Sequence, residues 1–132
     1  MTIEQQVCSL ELAKRLKELG VKQESLFVYI KTKHAKGIYY VTEAIKPLLA
    51  MPDTEWYSAF TVAELGEMLP ASFDWTGTNV FVEFGKSSIH GDYLINLREC
   101  AHPERMTIHI RADTEADARA KMLIYLLENK LI

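Results

Sequence analysis

Cysteine is scarce: the 132 residues contain only Cys8 and Cys100. Two thiols so far apart form neither a disulfide framework nor a structural zinc site, which takes four ligands, usually in two close pairs. They read as reduced, partly buried thiols. Glycine (6) and proline (4) are few enough to exclude a collagen-like or low-complexity chain. The most apolar stretch, residues 122–127, is far short of the roughly 20 residues that span a bilayer, so no membrane association is expected. Residues 1–6 have neither the basic start nor the apolar run of a signal peptide, and the expected setting is cytoplasmic. Nor is base in excess. Fifteen Lys and Arg against 18 Asp and Glu leave a net charge of −3, which argues against a large nucleic-acid footprint but not against a local basic patch.

What is present is an ordinary globular composition, 48% hydrophobic and 25% charged. A chain of this length buries roughly two-thirds of its unfolded surface and needs no metal or disulfide to fold. One domain over residues 1–132 is expected. Ser9 is placed to cap a helix whose apolar residues, Leu12, Ala13, Leu16 and Leu19, recur at helical spacing, with Gly20 and Val21 forming its stop. The period then changes. Residues 26–30 and 38–42 are rich in β-branched and aromatic side chains and predict a hairpin turning at residues 31–37. Pro47 and Pro52 bracket an expected irregular connection. Thr61 and Glu64 form a capping box, with Phe60 and Leu65 as its hydrophobic staple and Pro70 as its stop. Gly66 inside this helix predicts close packing.

Strands follow over residues 73–75, 80–84, 95–98 and 107–111. Val80, Val82, Ile95, Ile108 and Ile110 lie on the inner face; Glu83, Asn96, Arg98, Thr107, His109 and Arg111 lie on a wetter one. Thr114 caps the last helix, whose stripe is Ala116, Ala120, Leu123, Ile124, Leu127 and Leu131, with Glu115–Arg119 and Asp117–Lys121 as i,i+4 pairs. The fold class is therefore α+β: an antiparallel sheet with three helices packed against it.

No motif assigns an activity. Cys100 and His102 are close, but Cys8 is remote and no second ligand pair accompanies them; neither metal nor cofactor is expected. His34, His90 and His109 have no orienting partners in sequence, so no catalytic residue is named and an enzyme is not expected. Residues 85–88 imitate the end of a phosphate loop, yet Val80 stands where its first glycine belongs. The first helix resembles the opening of a helix-turn-helix, but strand-like residues follow it.

The aromatic residues Tyr29, Tyr39, Tyr40, Trp56 and Tyr57, on the hairpin and the loop after it, are the candidate site. Three arrangements fit them: a second small core, a protein-binding surface, or a stacking platform for single-stranded nucleic acid served by Lys31, Lys33 and Lys36.

Three stretches, SLELAKRLKELGVKQESL (residues 9–26), YSAFTVAELGEMLP (57–70) and EADARAKMLIYLLENKLI (115–132), resemble small uncharacterised proteins encoded by phages and prophages. They cover somewhat less than half the chain. The resemblance implies an origin and a setting and carries over no catalytic residue. The expected function is thus a non-enzymatic phage or prophage accessory protein that binds another protein or itself; the alternative is a nucleic-acid-associated factor using the lysine-bearing hairpin.

Overall fold

The computed structural model describes residues 2–32 and 37–132, with only the backbone of Met106 and Thr107. Lys33, His34 and Lys36, and the side chain of Thr107, fall outside the described residues. The class is α+β. The strands divide into two antiparallel sheets rather than one.

A short helix α1 (Ile3–Gln6), unforeseen in the sequence, precedes α2 (Leu10–Glu18). Helix α2 ends as expected: Gly20 takes φ +88°, and the amides of Gly20 and Val21 donate to Lys17 and Leu16 at 3.0 and 3.1 Å. That is the paired bonding of a Schellman stop. Its start differs, because the Ser9 side chain makes no cap bond. The Ser9 amide instead donates to Asp117 Oδ1 at 2.7 Å, tying α2 to the last helix.

The first sheet has the order β2-β1-β3, from β1 (Phe27–Lys31), β2 (Tyr40–Glu43) and β3 (Glu55–Ala59). The hairpin forms, shifted by one or two residues. The connection after it is not irregular: it holds a helical turn α3 (Lys46–Leu49) and then β3, so Trp56 and Tyr57 lie on a strand, not a loop. Alternation places Phe27, Tyr29, Lys31, Val41, Tyr57 and Ala59 on one face and Val28, Ile30, Tyr40, Trp56 and Ser58 on the other.

The capping box of α4 (Val62–Met68) forms in full. Thr61 Oγ1 accepts from the Glu64 amide at 3.2 Å and Glu64 Oε1 from the Thr61 amide at 2.9 Å, with Phe60 and Leu65 fully buried beside them. The second sheet is a meander, β4 (Ser72–Trp75), β5 (Thr78–Lys86), β6 (Tyr93–Glu99) and β7 (Met106–Ala112), in that spatial order.

Helix α5 (Glu115–Glu128) packs on β6 and β7 and also against α2 and α4. It is therefore buried on more than the expected stripe: Ala118, Met122 and Leu126 are as covered as Ala116, Ala120 and Leu123. The Glu115–Arg119 pair forms at 2.8 Å. The Asp117–Lys121 pair does not, since Asp117 holds the Ser9 amide and Lys121 reaches the Arg111 carbonyl. Among the described residues no helix is long and apolar enough to cross a membrane.

Candidate functional site

The five aromatic candidates separate. Tyr29 is 9% exposed, and its hydroxyl donates to the Cys8 carbonyl at 2.7 Å. Burial, then the nearby Cys8, pushes that phenol well above its ordinary range. Tyr29 is a core residue, and the expectation of an interface role for it is corrected. Tyr40 and Trp56 face the opposite side of the sheet from Tyr39 and Tyr57.

Tyr39 and Tyr57 meet, with ring centroids 5.9 Å apart and planes tilted by 47°. They come together because β1 pairs with strands on both sides, bringing residues 18 positions apart onto one face. Three ammonium groups gather over them. Lys14 Nζ lies 5.0 Å from the Tyr39 centroid and 5.7 Å from that of Tyr57. Lys31 lies 5.2 Å from Tyr39 and Lys17 5.0 Å from Tyr57. Such cation–π contacts contribute roughly 0.5–1 kcal/mol each at exposed sites. Glu55 belongs to the cluster as well: its Oε2 accepts from the Tyr39 hydroxyl at 2.7 Å and pairs with Lys31 at 3.2 Å. The Tyr39 bond, followed by the Lys31 bond, lowers the Glu55 carboxyl below its usual range. Burial first and the Glu55 bond second raise the Tyr39 phenol.

Lys14, Lys17 and Glu55 were not named from sequence as part of this site. The available signal was the i,i+3 spacing of Lys14 and Lys17 on α2, which puts both on one side of the helix. Helix α2 packs on β3, so that side comes down beside Tyr57.

The wetter face of the meander carries a continuous polar chain. Arg111 Nε donates to His109 Nε2 at 2.9 Å, so the His109 proton sits on Nδ1, which donates to Asn96 Oδ1 at 2.6 Å. Asn96 Nδ2 donates to Glu83 Oε1 at 3.3 Å, and Arg98 Nε reaches both Glu83 oxygens at 3.0 and 3.1 Å. Both His109 nitrogens are occupied. The chain continues from Arg98 to the Pro103 carbonyl, which its Nη1 meets at 3.0 Å.

The cysteines also separate. Cys8 is fully buried, and desolvation pushes its thiol up to about 12. Cys100 is exposed in the β6–β7 turn, not partly buried as expected, and so are the turn residues that follow it, 101–105. His102 Nδ1 lies 3.4 Å from Glu104. Among the described residues no group of three or more His, Cys, Asp or Glu side chains stands together as a metal site. A cleft of about 540 Å³ lies between α1 and the starts of α4 and α5, away from the aromatic cluster. Its Thr61 and Thr114 side chains are already helix caps. Compared with protein-family models, with curated proteins and with solved structures, the chain matches none.

Proposed function

We propose that this is a phage or prophage accessory protein, non-enzymatic and cytoplasmic, that works by binding another protein. Its contact surface is the cluster of Tyr39, Tyr57, Lys14, Lys17 and Lys31, and the partner presents carboxylates to it. One observation carries this reading: three ammonium groups converge on two tyrosine rings where Glu55 is the carboxylate that meets them. Positive charge in excess over an aromatic base suits an acidic protein surface, and Tyr is among the residues in which interface energy concentrates.

Single-stranded nucleic acid is less well suited. Base stacking needs open ring faces, whereas Lys14 and Lys31 stand over Tyr39, and Lys14 and Lys17 over Tyr57.

The test is affinity capture from lysogen-bearing cells, with and without nuclease, using the wild-type chain and a Lys14→Glu/Lys17→Glu variant shown by circular dichroism to be folded. The expected result is a captured protein that survives nuclease and is lost in the variant. It should also weaken as salt rises to about 0.5 M, where exposed charges are screened. Loss on nuclease treatment would move the assignment to nucleic acid. Capture unchanged by the double substitution would remove this surface.

A further inference from the structure

The free edge of the first sheet deepens the binding reading, on which the inference rests. The Ala44 amide donates to the Leu26 carbonyl at 3.0 Å, which makes Leu26 and Ala44 a hydrogen-bonded pair at the end of the β1–β2 ladder. Bonded and non-bonded pairs alternate in an antiparallel ladder, so Val28/Thr42 and Ile30/Tyr40 are bonded while Phe27/Glu43 and Tyr29/Val41 are not. The amides and carbonyls of Val41 and Glu43 therefore point away from β1. Because β2 is the outermost strand, they meet no strand among the described residues.

The opposite edge follows the same alternation and is plugged by side chains at two points. Trp56 and Ser58 are the outward residues of β3, and both are engaged: the Ser58 amide donates to Gln23 Oε1 at 2.8 Å, and the Trp56 carbonyl accepts from Lys17 Nζ at 3.2 Å. On β7, the Arg111 carbonyl accepts from Lys121 at 3.2 Å. The β4 edge, four residues long like β2, carries the exposed acid Asp74 and half-buried Phe73 and Trp75. Side-chain plugs and charges of this kind are how sheets prevent unwanted pairing. Among the described residues β2 has no plug and, like β4, one exposed acid, Glu43; what sets it apart is that apolar side chains stand exposed at it, Ile38 at 68% and Tyr40 at 43%.

We propose that β2 receives an extended segment of the protein partner as an added antiparallel strand. Alternation dictates that segment's chemistry. Side chains at the Tyr39 and Val41 end of that face come to the ammonium groups of Lys14 and Lys31, so the segment carries acids there and an uncharged residue opposite Glu43, which shares the face. Side chains at the alternate positions come beside Ile38 and Tyr40, so these are apolar. The partner presents a strand of alternating acidic and apolar residues. Main-chain bonds to Val41 and Glu43 supply affinity, and the two faces supply specificity.

The experiment uses a peptide of about eight residues alternating Glu with Val, read by fluorescence anisotropy on the full chain. Three comparisons accompany it: a Lys/Val peptide, the Glu/Val peptide with every second amide N-methylated in each phase, and a Glu43→Pro variant. Glu43 is exposed and its amide points outward, so proline deletes a docking donor while sparing the bonds to β1. The proposal expects the Glu/Val peptide to bind. It expects about a tenfold loss with Glu43→Pro and with one N-methyl phase but not the other, and weaker binding of Lys/Val. No binding, equal binding of Lys/Val, or indifference to both N-methyl phases overturns it. So does a dimer of the free chain that Glu43→Pro dissociates, since the occupant of the edge is then a second copy. The N-methyl arms hold even if Glu43→Pro does not fold. A cellular partner lost with Lys14→Glu/Lys17→Glu but indifferent to Glu43→Pro would overturn strand addition alone and leave the proposed function standing.

Discussion

Gly66 shows how one missing side chain sets the position of another. A Cβ there would collide with Arg119 Nη1, so the glycine makes room for that guanidinium. Arg119 in turn lies 4.1 Å over the Phe84 ring and pairs with Glu115 at 2.8 Å. The sequence predicted close packing at Gly66 but not its partner, because nothing local links positions 53 residues apart. Gly66→Ala brings two opposed effects: about 1 kcal/mol of helix propensity in its favour, and displacement of Arg119 against it. The expected outcome is a small change in the wild-type background and a gain near 1 kcal/mol once Arg119→Ala has removed the obstacle. Urea unfolding of the four proteins of the cycle measures the coupling. Effects additive to within about 0.3 kcal/mol would show that the guanidinium does not constrain Gly66.

Elements governed by neighbours in sequence were legible, and those governed by distant partners were not. The capping box at Thr61 and the stop at Gly20 depend on residues within six positions, and both form as read. Strand β3 reads as a loop in sequence because Glu55–Ala59 has no apolar alternation, and it is held as a strand by pairing with β1. The division into two sheets has the same origin, since pairing partners decide sheet membership and periodicity does not. The candidate site was half legible for this reason: the aromatics announce themselves by type, but the Tyr39–Tyr57 contact and the lysines of α2 depend on tertiary docking. The Thr61 cap gives the local logic a direct measurement. Thr61→Ala leaves the Glu64 amide without its side-chain acceptor and is expected to cost about 1 kcal/mol. A denaturant midpoint that does not move, at equal slope, would mean the box is present but energetically idle.

Cys8 lies where the separate parts of the molecule are joined. Its amide donates to the Phe60 carbonyl at 3.0 Å, its carbonyl accepts the Tyr29 hydroxyl at 2.7 Å, and the next amide, from Ser9, holds Asp117 on α5 at 2.7 Å. The bridge between Val7 and Thr61 stitches the same segment to the start of α4. The backbone of residues 8 and 9 therefore ties β1, the start of α4 and α5 to one segment, beside a buried thiol. The reactive species of cysteine is the thiolate, which burial suppresses at Cys8 by raising its pKa to about 12. Cys100, exposed in its turn, is open to reagent. Pulsed alkylation read by mass spectrometry should modify Cys100 at once. Cys8 should follow only as the molecule opens. If the N-terminal segment belongs to the cooperative unit, Cys8 labelling rises with urea along the slope of global unfolding. If labelling of Cys8 is fast and insensitive to urea, the segment frays by itself and the joint at Cys8 does not hold the molecule together.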